Sequence, residues 1–256
     1  KKLKEQLMNL KLKSNSDRIG LSHNITFFNR EGFGPWNFTS LQYIRQRPKF
    51  TLIGRVSYTD RQTNGNSSSS GKLFDIDSYI KTSKKSYSYI NIGYSEDRIF
   101  PKLRVNYSYF RNLGNGYEGE IGVRYNKRTD SESFSSVLAF GKYIGNSWLN
   151  LKTSVDCNIR KPYPSFALNY RYYMRDTRYD YLSANIGYGT SPDDRDNLLP
   201  FEERLTLNSY KFGVRYNKIL MNKFIVGLQT GMSRDEYFKD KFQTEIDFSI
   251  QLQYIL

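Results

Sequence analysis

The 256-residue sequence predicts an all-β protein: a transmembrane antiparallel up-and-down β-barrel of 14 strands, with a short N-terminal periplasmic helix or tail. Three observations predict this fold: apolar and polar residues alternate, the alternating segments are long and numerous, and tight connections contrast with longer ones. A barrel in the bacterial outer membrane needs this alternation because lipid surrounds it and water fills it. We therefore expect the chain to lie in that membrane.

The first segment, residues 1–17, differs from the rest of the chain. Leu3, Leu7 and Leu10 recur at helical spacing. The segment is predicted to be a periplasmic helical tail or linker, or the tail of a helical domain. A solvated, frayed terminus explains the same charged run equally well. Residues 18–256 form the predicted barrel.

Strand-like segments follow one another from Arg18 to the end of the chain. Most are long enough to cross a bilayer at about 45° tilt, which takes roughly 9–11 residues. The predicted strands are 18–30, 37–47, 50–63, 72–83, 86–97, 102–113, 117–129, 133–144, 148–160, 163–176, 181–191, 205–219, 223–237 and 242–256.

The connections between these segments alternate in character. Every second connection is short, as at 48–49, 114–116 and 145–147. The others are mostly longer or richer in loop residues, including 64–71 with its four serines and 192–204. Outer-membrane barrels have short periplasmic turns and longer outer loops, so both chain termini are predicted to be periplasmic.

The closing segment, 242–256, alternates almost without a break. Phe242, Ile246, Phe248, Ile250 and Leu252 share one face, and polar residues occupy the other. Successive strand side chains point to opposite sides, so we expect lipid contact for the apolar set. Aromatic residues beside tight turns are predicted to form a periplasmic girdle: Tyr43, Tyr87, Tyr109, Tyr117, Tyr143, Tyr172, Tyr216, Phe224 and Tyr254. Segments 37–47 and 133–144 alternate poorly, and their parity stays open.

Composition is consistent with a barrel and excludes other classes. Only 38% of residues are hydrophobic and mean hydropathy is −0.68, yet 16% are aromatic, which disordered chains are not. No apolar run of about 18 residues exists, which excludes a transmembrane helix. The net charge of +14 is spread along the chain rather than clustered, so no nucleic-acid partner is predicted.

Catalytic chemistry has little support. His23, the only histidine, and Cys157, the only cysteine, are both predicted to face away from the lumen. Acyl transfer typically needs a histidine beside a nucleophile, and one Cys with one His makes a transition-metal site improbable. No catalytic residue, metal or cofactor is predicted. The segment 193–196, Asp-Asp-Arg-Asp, offers a contact for calcium or lipopolysaccharide phosphate, but a simple turn is preferred.

The polar parity predicts the side chains that line the lumen. Same-face carboxylate pairs are compatible with calcium binding or acid–base work, but ion pairing with neighbouring basic residues is the preferred interpretation. Lys81, Lys142 and Asp156 share this parity. The predicted lumen-lining residues are Arg55, Asp75, Asp77, Tyr79, Lys102, Arg104, Glu118, Glu120, Arg124, Trp148, Lys152, Arg171, Lys211, Arg215, Glu245 and Asp247.

Several segments together resemble the YaiO-type outer-membrane β-barrel family. They are SLQY at 40–43, IGRVSY at 53–58, YINIGYS at 89–95, FPKLR at 100–104, GEIGVRY at 119–125, GKYIGNSW at 141–148 and GYGTSPDD at 187–194. The resemblance implies an outer-membrane barrel that often follows a helical-repeat domain, and it would make residues 1–17 the remnant of that domain or the linker to it. Related barrels are associated with exopolysaccharide export.

Three functions are compatible with these observations. The first is a porin-like channel, with polysaccharide export as one form of it, in which basic side chains contact acidic groups and Tyr79 and Trp148 stack on sugar rings. The second is a non-conducting anchor or subunit of a cell-envelope complex. The third, a barrel enzyme, is disfavoured by the histidine count. Expected partners are outer-membrane lipid and lipopolysaccharide, a polysaccharide or anionic solute, and periplasmic or outer-membrane proteins.

Overall fold

The computed structural model describes residues 15–157, 164–174, 177–189, 208–238 and 240–256. Every regular element in these ranges is a β-strand. The strands are β1 (Ser16–Phe28), β2 (Phe33–Gln46), β3 (Phe50–Thr63), β4 (Asn66–Lys81), β5 (Ser86–Tyr94), β6 (Leu103–Gly114), β7 (Tyr117–Lys127), β8 (Glu132–Ile144), β9 (Ser147–Asp156), β10 (Pro164–Tyr173), β11 (Tyr181–Tyr188), β12 (Ser209–Leu220), β13 (Phe224–Phe238) and β14 (Lys241–Ile255).

The strands form one closed antiparallel barrel in which each strand pairs with its neighbours in sequence. The last strand closes the barrel on the first: β1 pairs with β14 from Arg18 opposite Ile255 to Phe28 opposite Glu245. Closure leaves no unpaired strand edge, as a lipid environment requires. The predicted fourteen-stranded up-and-down barrel is confirmed.

Alternation along the strands separates an apolar outside from a polar inside. On β14, Ile246, Phe248, Ile250 and Leu252 are exposed on the outer surface. Their polar neighbours on the same strand are half-buried in the interior. The outward apolar set continues around the barrel, for example with Leu41 and Ile121. The closing-strand pattern therefore predicts the two faces correctly.

The two ends of the barrel differ. The tight-turn end, which carries Ser16 and Ile255, has compact turns in which Asn115 and Asn222 adopt positive φ angles of 50° and 57°. The opposite end, the loop end, carries the long connection between β11 and β12, most of which lies outside the described residues.

One predicted loop is a hairpin instead. Residues 64–71 were expected to be irregular, but β4 begins at Asn66 and only Asn64-Gly65 turns, both with positive φ. Asn-Gly is a preferred hairpin dipeptide, and the serines that follow continue the ladder opposite Asp60 and Arg61. A serine run carries no alternation signal, so the sequence pattern missed this part of β4.

Two other predictions concern the tail and a loop. Residues 1–14 of the predicted tail lie outside the described residues, and β1 begins at Ser16 rather than Arg18. The segment 193–196 also lies outside them. Within the part of the chain that is described, no helix is long and apolar enough to cross a membrane.

Candidate functional site

Inward side chains of β3 to β7 form a packed wall of the lumen. Arg55 donates to Asp77 at 3.0 Å. The same carboxylate accepts from the Tyr89 hydroxyl at 2.9 Å and from the Asn91 amide at 2.8 Å. Asn91, 0% exposed, accepts in turn from Asn106 at 3.0 Å. The chain of bonds runs around the barrel wall, so these groups fill the lumen on this side rather than line an open space.

A second network continues the packed wall onto β7 and β9. Arg124 donates to the Ser108 hydroxyl at 2.9 Å and to Glu120 at 3.4 Å. Ser108 donates to the same carboxylate at 2.7 Å, and the Lys152 ammonium lies 3.9 Å away. Arg124 is only 2% exposed. A buried charge needs such partners to offset its lost hydration, so this network fixes the side chain against the wall.

The opposite side, the open wall formed by β10 to β14, is different. Asn185 on β11 and Gln229 on β13 occupy inward positions on the polar parity, yet both are exposed. Gly213 lies beside Asn185, and a Cβ atom there would come within 2.6 Å of the Asn185 Oδ1 atom. Because Gly213 has no side chain, the Asn185 amide can occupy the space beside it. The free volume of the lumen therefore reaches β10 to β14, and toward the tight-turn end it extends across the lumen to β4 to β9, where Tyr79, Glu118 and Trp148 line it.

Two cavities occupy this space, and both are lined by Asn185 and Gln229. The lower cavity, toward the tight-turn end, has a volume of about 510 Å³. The upper cavity, toward the loop end, has a volume of about 240 Å³. Because they share these two residues, the cavities adjoin beside Asn185 and Gln229, and we call this junction the neck.

Aromatic rings surround much of the lower cavity. Tyr87 stacks on Phe110, with ring centroids 4.5 Å apart and ring planes at 5°. The ring centroids of Tyr143 and Trp148 are 6.2 Å apart. These four rings, together with Tyr79 and Tyr173, line the cavity. The rings present flat apolar surface beside polar atoms, a combination typical of sites for amphipathic ligands.

The prediction that Tyr87 and Tyr143 belong to an outer girdle was wrong. Both line the lower cavity. Both faces of β5 carry apolar or aromatic residues. Tyr87 lies on the inner face with Asn91, and Ile92 is exposed on the outer face. On β8 the alternation is weak. Pairing with the neighbouring strands, rather than hydropathy, determines which of two apolar faces turns inward.

Basic side chains also reach the lower cavity. Lys152, Arg171 and Arg215 line it. The Arg171 guanidinium lies 4.4 Å from the centroid of Tyr181 and 5.4 Å from that of Trp148. Arg215 donates to Asn217 at 3.0 Å and to Gln251. These positions hold the cations at the cavity surface.

The upper cavity has acidic walls. Asp235, Glu245 and Asp247 line it together with Lys211. Asp247 accepts from the Thr26 hydroxyl at 2.5 Å, and Glu245 accepts from the Gln243 amide at 2.7 Å. The two cavities therefore differ in charge: basic groups are the majority in the lower cavity and acidic groups in the upper one.

The connection between β5 and β6, residues 95–102, folds into the loop end of the packed wall; we call it the inner segment. Ile99 and Phe100 are buried against Leu73 of β4. The Asp97 carboxylate accepts from the Lys72 backbone amide at 2.7 Å. Arg128, beyond β7, has a pKa lowered by burial and by the nearby Arg104 cation. The inner segment narrows the mouth on this side.

The predicted lumen residues divide among these regions. The lower cavity is lined by Tyr79, Glu118, Glu120, Trp148, Lys152, Arg171 and Arg215, and the upper cavity by Lys211, Glu245 and Asp247. Buried in the packed wall are Asp75, Asp77, Arg104 and Arg124, with Arg55 half-buried beside them. Lys102 precedes β6 and is exposed.

Besides Tyr87 and Tyr143, the sequence pattern placed Lys142 on the wrong face, and it missed other residues. Lys142, assigned to the polar parity, lies over the ring of the outward-facing Tyr117 at 4.2 Å from its centroid. The neck residues Asn185 and Gln229 were not selected, because neutral amides carry no charge signal. Their parity alone could have identified them.

His23 and Cys157, the residues considered for catalysis and metal binding, line neither cavity. The His23 Nδ1 atom lies 2.8 Å from the Thr39 hydroxyl on the outer surface. Cys157, beyond β9, is exposed. Among the residues that are described, no group of three or more His, Cys, Asp or Glu side chains is placed to hold a metal ion.

A closed barrel with an apolar belt and a polar lumen defines an integral outer-membrane β-barrel protein. The family model described as "YaiO membrane beta barrel domain" matches residues 16–194. The chain therefore belongs to the YaiO membrane β-barrel family and is a protein of the bacterial outer membrane. No curated protein matches it in sequence.

Several solved structures share the fold at very low sequence identity. The "CymD monoaromatic hydrocarbon channel" is 7% identical with a TM-score of 0.59, covering 97% of this chain and 91% of that one. A "bacterial polysaccharide outer membrane secretin" is 7% identical with a TM-score of 0.53, covering 94% and 98%. OpdQ of Pseudomonas aeruginosa is 9% identical with a TM-score of 0.47, covering 94% and 97%. At these identities the likeness to the first two structures extends to the fold alone.

Proposed function

We propose that this protein is a passive channel that carries hydrophilic solutes across the outer membrane along the open wall. The observation that carries the proposal is the exposure of Asn185 and Gln229, two inward amides that both adjoining cavities share. Solutes enter one cavity, pass the neck and leave through the other. The tight-turn end is assigned to the periplasm, as in other outer-membrane barrels.

The dimensions of the barrel are compatible with this path. Fourteen strands at ordinary spacing and tilt give a backbone cylinder about 28 Å across. The packed wall fills part of this width, since Asn91, Arg104 and Arg124 have almost no exposed surface. The proposed passage is the remaining space, the two adjoining cavities of about 510 Å³ and 240 Å³, which is suited to small or extended solutes.

The cargo and the surroundings form part of the same proposal. An extended glycan is one solute that fits a narrow passage with aromatic walls, and one of the proteins that share the fold is a polysaccharide outer-membrane secretin. The proposal includes contact between the outer apolar belt and both lipid and lipopolysaccharide. It assigns no catalytic step to the barrel. A periplasmic protein partner would act at the tight-turn end.

The second candidate function is a non-conducting anchor or subunit of an envelope complex. One observation favours it: the inner segment buries Phe100, 2% exposed, within the loop end of the lumen. If the inner segment and the packed wall closed the passage together, the barrel would serve only as a membrane support.

Conductance of the purified barrel in planar bilayers distinguishes the two functions. A Gln229→Trp substitution narrows the neck and should lower single-channel conductance by about half or more, because pore diameter limits flow. Thr230→Trp is the matched control, since Thr230 is exposed on the outer surface of the same strand. A wild-type barrel that conducts at neither low nor high salt would favour the anchor.

A further inference from the structure

We propose that the lower cavity is a binding site for an acidic saccharide unit, a hydroxylated ring that carries a carboxylate. The proposal rests on the proposed function in one respect only: solutes must reach the lumen. Three independent features of the cavity carry it, namely its aromatic surface, its unused hydrogen-bond donors and its charge.

The aromatic surface has the form that sugar rings need. The ring centroids of Tyr79 and Tyr89 are 4.9 Å apart. Tyr87 stacks on Phe110, and the ring of Tyr143 lies beside that of Trp148. These pairs belong to neighbouring strands on one side of the cavity, with a volume of about 510 Å³ in front of them. The C–H face of a pyranose packs against such rings, while its hydroxyls need polar partners.

Two buried donors lack such partners. The Trp148 Nε1 and Arg171 Nε atoms are both buried, and neither has a hydrogen-bond acceptor among the described residues. Both residues line the lower cavity. An unsatisfied buried donor costs about 1–3 kcal/mol. A small rotation of the indole or guanidinium group is needed to turn the donor toward the cavity, and an acceptor oxygen of a bound ligand then removes this cost. Hydroxyl and carboxylate oxygens of a sugar acid are such acceptors.

The charge of the lower cavity favours a saccharide that carries a carboxylate over a neutral one. Arg171 and Arg215 form no ion pair with a carboxylate in the described part of the chain. Of the two carboxylates that line the cavity, Glu120 is held by Arg124 and Lys152. Glu118 lies beside the Tyr87 hydroxyl, at 3.4 Å. The guanidinium groups are therefore the available charge, and a planar guanidinium matches a carboxylate.

Titration of tryptophan fluorescence tests the site directly. The chain has two tryptophans, so a Trp36→Phe background makes Trp148 the reporter. Detergent-purified barrel in this background is titrated with a galacturonate trimer, a neutral galactose trimer and acetate. We expect the acidic trimer to bind at least about tenfold more tightly than the neutral one, because a charged hydrogen bond contributes about that factor. Acetate, which has no ring, should bind much more weakly than either.

Substitutions assign the effect to the named residues. Arg171→Gln should reduce affinity for the acidic trimer about tenfold and leave the neutral trimer unchanged, with partial recovery in Arg171→Lys. Lys211→Gln, in the upper cavity, is the matched control and should change neither. Heat-modifiable migration on gels verifies that each variant is folded. If Arg171→Gln does not fold, Arg215→Gln replaces it.

The outcomes separate this site from the channel function. Equal binding of acidic and neutral trimers, binding of acetate as strong as that of the acidic trimer, or equal effects of Arg171→Gln and Lys211→Gln would each overturn the proposal. Binding of no trimer by a barrel that conducts ions would overturn the saccharide site and leave the channel standing. Selective binding of the acidic trimer by a barrel that does not conduct would overturn the channel and leave the saccharide site standing.

Discussion

Phe38 on β2 and Phe100 in the inner segment meet edge to face inside the barrel, with ring centroids 6.3 Å apart and planes at 71°. The contact joins a membrane strand to a connection that leaves the barrel wall and returns into its interior. The inner segment is thus held by apolar packing as well as by the hydrogen bond from Lys72 to Asp97.

Displacing the inner segment should widen the mouth. A Gly71→Ala substitution places a Cβ atom 2.5 Å from Ile99 Cγ2 and 2.7 Å from Asp97 Cβ, closer than atoms can approach. We expect higher single-channel conductance and faster tryptic cleavage after Arg98. Gly54→Ala is the control, because a Cβ at Gly54 meets nothing within 4 Å. Identical behaviour of the two variants would mean that the inner segment does not limit passage.

Buried and cavity-lining arginines should respond differently to neutralisation. Arg124→Gln leaves Glu120 with fewer partners in the packed wall and should lower the free energy of unfolding by about 3 kcal/mol, measured by urea titration. It should leave ion selectivity unchanged, because Arg124 is only 2% exposed. A shift of reversal potential in folded Arg124→Gln would show that this side chain does face the passage.

Selectivity should depend on the arginines of the lower cavity. Neutralising Arg171 and Arg215 together removes two cations that line it, so the preference of the barrel between anions and cations should shift toward cations. Reversal potentials across a salt gradient measure this effect. In the wild type the preference should weaken as salt rises, since the Debye length falls to about 3 Å at 1 M. A preference that is insensitive to salt would contradict an electrostatic origin.

Adjacent residues of the closing strand should tolerate charge very differently. Ile250 is 53% exposed on the outer surface, so Ile250→Arg should lower stability by about 2–4 kcal/mol if it lies near mid-bilayer. Ser249 faces the lumen opposite Gln229, so Ser249→Arg should lower stability much less. Gln251 is a poorer comparison, because it already accepts from Arg215. Equal costs in a refolding titration would contradict the assignment of the two faces.

The sequence was sufficient for the fold where each strand separates two solvents. On β14, Ile246 and Phe248 face outward and Glu245 and Asp247 inward without exception, so alternation alone determines the facing. The strand count follows from the same signal together with the turns. Hydropathy predicts less where both faces are apolar, as at Tyr87 on β5, and where a strand has little contrast, as in the serine-rich part of β4.

The lumen was only partly predictable, because parity gives direction and not depth or crowding. Arg104, Arg124 and Arg215 share the inward parity, yet the first two are buried in the packed wall and the third lines the lower cavity. That difference arises from partners on other strands, such as Asn126 for Arg104 at 3.2 Å. The inner segment and the neck likewise depend on contacts between residues far apart in sequence.

The pairing between β1 and β14 determines where a molecule can enter or leave the lumen. Its pairs run from one end of the barrel to the other, Arg18 with Ile255 at one limit and Phe28 with Glu245 at the other. While that hydrogen-bonded ladder is intact, the interior and the lipid share no border. A solute that enters the lumen must therefore enter and leave through the two ends of the barrel, and a lipid-linked molecule has no lateral opening between the first and last strands.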